Sequence, residues 1–596
     1  MSSATGLRPP AGERAALNSA LEAPRIRIER VTPSVDQGVL PAKGVVGQPV
    51  VVEADIYLDG REPLVARLIW RGPGTLEEQS APMQPLGNDR WRATFLPLRP
   101  GRHRFNLEAW VEDSGTARHL THVPTDLIVD VERIGAGFAS GYELFPRSQS
   151  AHPGQHGTLD DVIARLPALR AMGFDVLYLP PIHPIGWTQR RGRNGSPQAQ
   201  PEDPGDPRAI GAAEGGHTAL HPQLGDMASF RRLLAAAAEH GIEIALDLVL
   251  QCSRDHPWLA SHPEWFPWRA DGTIRGAIDE QGERQDIVEF DFYAEQAKPG
   301  LWLALRDVVL WWVGTGVRAF RVDTPQNEPL PFWRWLIADV RARHPDVLFL
   351  ARAFARPAVL QRLAKLGFSQ SYTYFIWRNS KRELTEYFVE LGASPVRDFL
   401  RPHLFVNTPD IDPYFLQRSG RPGFLIRAAL AATLSGLWGL YSGFELCESA
   451  ALPGREQYLD AERYQLRQRD WLAPGNIIAE ITQLNAIRRE NPALQSHGGL
   501  RFYTACNEQV IWYGRFTPAL DNFVLVAVSL DPNRVQESTF EVPLWEFGLS
   551  DNGVFEVEEL MRGIRFKWYG KLQHWRFVPS ELPFAIFRVK PWQMPA

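Results

Sequence analysis

Between Gly141 and Glu445 the chain alternates strand-like runs with helix-like ones, and no other feature limits its fold as much. The strand candidates are 141–148, 175–182, 243–250, 317–323, 347–352, 368–375, 402–410 and 437–445. Between them lie stretches such as LDDVIARLPALRAMG (159–173) and MASFRRLLAAAAEHG (227–241), with apolar residues at helical spacing. Eight strands alternating with helices in ~300 residues predict class α/β and a (β/α)₈ TIM barrel. An open sheet of six or seven strands fits the count less well.

The rhythm differs on either side. From Pro24 to about Val131, short alternating runs such as VVVEADIYL and RHRFNLEAWV are broken by the turn signals LDGRE, LGNDR and RPGRH. That pattern predicts a β-sandwich. Strand rhythm returns from about Ile477, as in NFVLVAVSL and FAIFRVK. The expected organisation is therefore a loose tail (1–23), an N-terminal sandwich (24–131), the barrel (132–476) and a C-terminal sandwich (477–596). Two long loops, 183–217 and 252–298, follow the second and third barrel strands, on the face where such barrels carry their substrate loops.

Composition serves mainly to exclude. A net charge of -5 on 596 residues gives no reason to expect nucleic acid or an anionic membrane as partner. Three cysteines (Cys252, Cys447 and Cys506) make no disulfide framework, and Cys252 reads as a buried thiol. The N-terminal segment lacks the apolar core of a secretory signal. The most apolar run, 301–317, is interrupted by Arg306 and Asp307 and reads as a buried helix. A cytoplasmic protein without a membrane span is expected. His217, His256 and His262 match no compact ligand spacing, so no metal and no cofactor are expected. Twenty tryptophans suit sugar stacking and large cores equally.

Chemistry in a barrel sits at the strand C-termini. The fourth candidate strand ends FRVD at Asp323, and Arg321, two residues earlier, points to the same face. A neighbouring guanidinium would keep Asp323 ionised, as a nucleophile requires. The fifth ends at Arg352, and FVNTPD ends at Asp410. Each has a plainer reading. Asp323 could cap the next helix, Asp410 could be turn chemistry, and Arg352 could be the ion-pair partner of both.

Arg-x-Asp on strand four, a residue closing strand five and Asn-x-x-Asp after strand seven resemble the α-amylase superfamily of retaining glycosidases and transglycosylases. GLYSGFE (439–445) is similar to its strand-eight signature. YELFPRS, LPPIHPIG, GRN, EGGH, QCSRDHPW, QDI, RVDTP, VNTPD and YQLR, spread along most of the chain, resemble the bacterial glucan maltosyltransferases that use maltose-1-phosphate. The resemblance implies double displacement by a nucleophile and a second, acid/base carboxylate ~5 Å away. It implies Asp323 as nucleophile, Asp410 holding the distorted sugar, Arg321 orienting Asp323, and substrate contacts by Asn194, Gln251, Asp286 and Tyr464. It implies an α-glucan or maltooligosaccharide partner, maltose-1-phosphate as donor, and a place in glycogen metabolism.

The departures bear on activity. Arg352 stands where the family has the acid/base Glu, and an arginine neither gives nor takes a proton at useful pH. Glu328 stands where a phosphate-binding Lys is usual, and Gly282-Glu283-Arg284 replace a Lys and a Tyr. Substitute acids among Glu214, Glu328, Glu445 and Asp255 are not distinguished by sequence. Residues 111–131 leave no room for the family's helical insertion, so monomer and homodimer both stay open. Two functions therefore stand: a maltosyltransferase-like enzyme with impaired turnover, and a non-catalytic glucan-binding relative.

Overall fold

The computed structural model describes residues 11–113, 116–279 and 282–592. They fall into two compact units that meet in sequence between Arg133 and Ile134.

In the first unit, Ala11–Glu22 is a helix where a loose tail was expected; residues 1–10 lie outside the described residues. AGERAALNSALE is rich in strong helix formers and holds no breaker after its first turn, which accounts for the helix. Two sheets follow. One runs in the order Ile26–Thr32, Val50–Leu58, Arg90–Phe95, Gln84–Gly87, and the other is built around the long strand Gly101–Asp113. Val52, Ala54 and Ile56 are buried while Val51 is exposed, the two-residue period of a half-solvated strand. Trp70 of one sheet stacks on Phe95 of the other at 5.5 Å, so the two share one core.

The second unit contains a closed parallel barrel of eight strands: β1 (Ala139–Glu143), β2 (Val176–Leu179), β3 (Glu243–Leu248), β4 (Ala319–Asp323), β5 (Leu348–Arg352), β6 (Gln370–Tyr372), β7 (Pro402–Phe405) and β8 (Leu437–Tyr441). All eight coincide with the expected runs, and β8 closes onto β1. Strands β4, β5 and β8 are buried at every position, because a barrel strand faces packed helices outside and packed side chains within. The lower interior holds Tyr178, Leu350, Tyr372 and Phe405. Glycines make room for these rings: a Cβ on Gly141 would stand 2.6 Å from the Tyr178 ring, and one on Gly439 would stand 2.7 Å from Phe405.

The segment expected to open the second sandwich is a helix, Ile478–Glu490, which packs on the barrel. Its Arg488 donates to the carbonyls of Ser435 (3.0 Å) and Gly436 (2.7 Å), and its Asn485 accepts from Ser140 Oγ (2.9 Å). These contacts lie where β8 and β1 begin, at the opposite end of the strands from Asp323. The sheet region starts only at Leu500, with a six-stranded sheet and a separate antiparallel pair (Gln536–Glu541 with Leu572–Phe577) around Trp512, Phe540, Phe577 and Phe587. The apolar run forms the helix Gly300–Thr315, buried on one face through residues such as Leu305 and Trp312 and exposed at Leu303 and Trp311 on the other. Among the described residues no helix is long and apolar enough to cross a membrane.

Candidate active site

The parallel register of β4 and β5 sets Asp323 directly beside Arg352. The β7 strand runs on into a tight turn, closed by paired backbone hydrogen bonds between Thr408 and Ile411 (3.1 Å each), which carries Asp410 over the same point. Arg352 joins the two acids, with Nη1 to Asp323 Oδ1 and Nη2 to Asp410 Oδ2 at 2.5 Å each. The expectation that Arg352 is the ion-pair partner of both is the geometry found. Arg208, from the loop after β2, bridges the same pair: its Nε lies 2.9 Å from Asp323 Oδ2 and its Nη2 lies 2.6 Å from Asp410 Oδ2. Arg463 binds Asp410 Oδ1 (2.9 Å) and Asp206 (2.7 Å), and Arg284 links Asp206 (2.8 Å) to Asp286 (2.7 Å). Four aspartates and four arginines thus alternate across the barrel mouth.

The electrostatics follow from that alternation. Burial alone would raise the Asp323 carboxyl, but Arg208 and Arg352 outweigh it and hold it below the usual carboxylate range. Asp410 is held further down, as Arg208, Arg463 and Arg352 outweigh its burial. Both are ionised, and both oxygens of each are engaged. Thr324, next after Asp323, has φ 46°, a strained region for a β-branched residue. Its N–H donates to the Arg352 carbonyl (3.1 Å), which stitches the β4 loop onto the end of β5.

Arg321 does not orient Asp323. It is 1% exposed and gives its hydrogen bonds to Glu143 of β1 (2.6 Å) and Asp247 of β3 (2.6 and 2.7 Å). The two-residue spacing does put Arg321 and Asp323 on one face, but Arg321 lies one layer deeper, where the interior acids meet it first. Asp286 is buried in the cluster through Arg284. Asn194 is exposed and clasps Asp460, accepting its backbone N–H (2.9 Å) and donating Nδ2 to its carboxylate (3.2 Å). Gly195 brings that loop against Tyr464, whose ring also faces the Arg463 guanidinium. Gln251 lies on a short strand paired with the one bearing Asp286, and its carbonyl contacts the His217 ring. His217 and His256 form a buried hydrogen-bonded pair (3.1 Å), while His262 stacks on Trp265. Cys252 is fully buried.

Sequence reasoning missed Arg208, Arg463, Asp206, Glu143 and Asp247. The last two had a signal, since each is an acid inside an otherwise apolar strand and buried charge in such a run calls for a partner. The others lie in loops, where spacing says nothing about convergence.

Of the four candidate substitute acids, two are engaged by hydrogen bonds and one lies on the surface. Glu214 is exposed, Glu445 accepts from Tyr142 and from the Gly443 N–H, and Asp255 accepts from the backbone of Thr188 (2.8 Å). Glu328 is buried, with Oε2 lacking a hydrogen-bond partner. Asp412 is a further anomaly: it is 0% exposed and neither oxygen has a partner. Burial and the Glu456 charge push it up to about 7. A carboxyl raised by folding destabilises the fold fully above its folded pKa, and less and less as pH falls from there toward its unfolded value. Asp412→Asn is therefore expected to raise the unfolding free energy by roughly 2–4 kcal/mol at pH 8 and by much less at pH 5. Urea titrations at both pH values check this, and equal effects at the two would contradict it.

Residues 24–178 match the family described as alpha-1,4-glucan:maltose-1-phosphate maltosyltransferase, domain N/S. Residues 143–328 match the alpha amylase catalytic domain, and residues 502–589 match the GLGE C-terminal domain. An alpha-1,4-glucan:maltose-1-phosphate maltosyltransferase of Pseudomonas aeruginosa is 52% identical over 96% of this chain and 97% of its own. That alignment, 645 positions, is longer than the chain itself, so its relative has segments missing here. A protein of the same name from Cereibacter sphaeroides is 44% identical over 100% of both chains. Among solved structures, a maltogenic alpha-amylase from Thermotoga neapolitana superposes with a TM-score of 0.60 at 19% identity, over 76% of this chain and 99% of that one. An alpha-amylase from Geobacillus thermoleovorans does so with a TM-score of 0.58 at 16% identity, over 76% and 98%. Both share the fold. The chain belongs to the alpha-1,4-glucan:maltose-1-phosphate maltosyltransferase family.

Proposed function

We propose that this chain binds α-glucan and a maltosyl phosphate donor at the barrel mouth and keeps the first half of a retaining maltosyl transfer, with onward transfer slowed. Asp323 is the nucleophile in this reading and Asp410 holds the sugar hydroxyls. The observation that carries it is the Arg352 bridge between Asp323 and Asp410. A guanidinium supplies no general acid or base, and losing that help costs ~10²–10⁴-fold in rate. The half-reactions suffer unequally. Phosphate leaves with little protonation, and Arg352, Arg208 and Arg463 converge where guanidinium–phosphate bonds would compete with their carboxylate partners. An acceptor hydroxyl has no such advantage and needs a base.

A second reading, a non-catalytic glucan-binding relative, is favoured by the same network, since both Asp323 oxygens already face arginines. Incubation with α-maltose-1-phosphate followed by intact-mass spectrometry separates the two. A maltosyl adduct on the wild type that is absent in Asp323→Ala is expected. No adduct, with glucan retained in a pull-down, would leave the binding protein.

A further inference from the structure

Glu328 is the one buried carboxyl on the loop that leaves the nucleophile strand. It stands five positions after Asp323 and two before helix Leu330–Arg343. It is 7% exposed, and its Oε2 is enclosed without a hydrogen-bond partner. The loop that carries it is fixed from both sides. Thr324 N–H binds the Arg352 carbonyl (3.1 Å), and the Trp333 indole N–H binds the Pro325 carbonyl (2.8 Å). The start of the Glu328 loop is thus tied, through Thr324, to the backbone of the very residue at which the acid is missing. Its surroundings keep it protonated: burial pushes it well above the usual range, and the charges of Asp323 and Glu289 add to this, against its own backbone N–H and the Trp333 indole. Asp412, another buried carboxyl without hydrogen-bond partners, has Glu456 and Arg467 as its charged neighbours and not Asp323.

We propose that Glu328 is the proton donor and acceptor of maltosyl transfer in this chain, the acid/base function having moved from the end of β5 to the loop after β4. The proposal rests on the maltosyl-transfer reading above and replaces its slowed onward transfer by one that Glu328 serves as base. In the first step an Asp323 oxygen bonds to the anomeric carbon. The bond from that carbon to the phosphate oxygen breaks, its electron pair goes to phosphate, and Glu328 gives its proton to that oxygen. In the second step a glucan hydroxyl oxygen attacks the same carbon. The pair of the Asp323 ester bond returns to Asp323, and the hydroxyl proton passes to the Glu328 carboxylate. A buried acid that is neutral at rest suits the first step, and the carboxylate it leaves suits the second.

The test compares the full-length wild type with Glu328→Gln on α-maltose-1-phosphate and on α-maltosyl fluoride, with maltohexaose as acceptor. Glu328→Gln is expected to slow acceptor transfer ~10²–10⁴-fold with both donors and to accumulate the Asp323 adduct from the fluoride. Azide, a nucleophile that needs no base, is expected to restore its turnover and yield α-maltosyl azide. The wild-type kcat/KM is expected to fall on an alkaline limb that the variant lacks, a measurement that does not depend on the variant folding. Wild-type rates in Glu328→Gln, or a slow variant without azide rescue, would overturn the assignment and leave the family reading standing. A wild type that forms no adduct from either donor would overturn both.

Discussion

Arg321→Met is expected to lower the free energy of unfolding by about 3–5 kcal/mol at pH 7, the cost of breaking a buried ion pair by removing one partner. Arg321 is 1% exposed, and its guanidinium is shared between Glu143 and Asp247, both buried within the barrel. Methionine keeps much of the stem volume but leaves two uncompensated carboxyls in the interior. Burial raises Asp247 even with the arginine present. Without it, the acids take up protons on folding. A group whose folded pKa is raised destabilises the fold fully above that pKa, and the cost shrinks as pH falls from there toward its unfolded value. The loss at pH 7 should therefore shrink toward pH 5, where urea denaturation checks it. A loss that is constant between the two would point to packing and not to charge. Since neither acid touches Asp323, glucan binding by the folded fraction is expected to persist.

Arg352→Glu is expected to cost a similar ~3–5 kcal/mol at pH 7, although it restores the residue type that the family resemblance calls for. The barrel mouth holds Asp323, Asp410, Asp206 and Asp286 against Arg352, Arg208, Arg463 and Arg284. One exchange removes a cation and adds an anion between Asp323 and Asp410, which are both ionised in the wild type. The new glutamate would lie between like charges, so its folded pKa rises and the deficit is largest at alkaline pH. Unfolding midpoints of wild type and variant at pH 5 and pH 8 measure it. A variant as stable as the wild type at pH 8 would show that Arg208 and Arg463 alone can balance three acids. In that event the network is looser than the distances imply.

These two cases show how unevenly the site could be read. All eight barrel strands were legible, because alternating apolar strands and amphipathic helices report burial directly. Asp323 and Arg352 were legible because they end strands and parallel register carries strand ends to one rim, and Asp410 because it lies in the turn just beyond β7. The pairing of Arg321 was misread. Side-chain period told which face it shares with Asp323 but not which acids wait at its depth in the barrel. Helix Ile478–Glu490 was read as part of the second sandwich, since its hydrogen bonds to the Ala139 and Gly436 carbonyls are remote in sequence.

By itself, the sequence determined the barrel, the family and the absence of a carboxylate at position 352, all properties of local pattern and residue identity. Only the tertiary structure decided what that absence means. Asp206 and Arg208 come from the loop after β2, Glu328 from the loop after β4 and Arg463 from beyond β8, and their charges act through space over a few ångströms whatever their distance along the chain. Four arginines balanced against four aspartates, and one buried carboxyl whose charged form is disfavoured by burial and by Asp323, are consequences of that convergence.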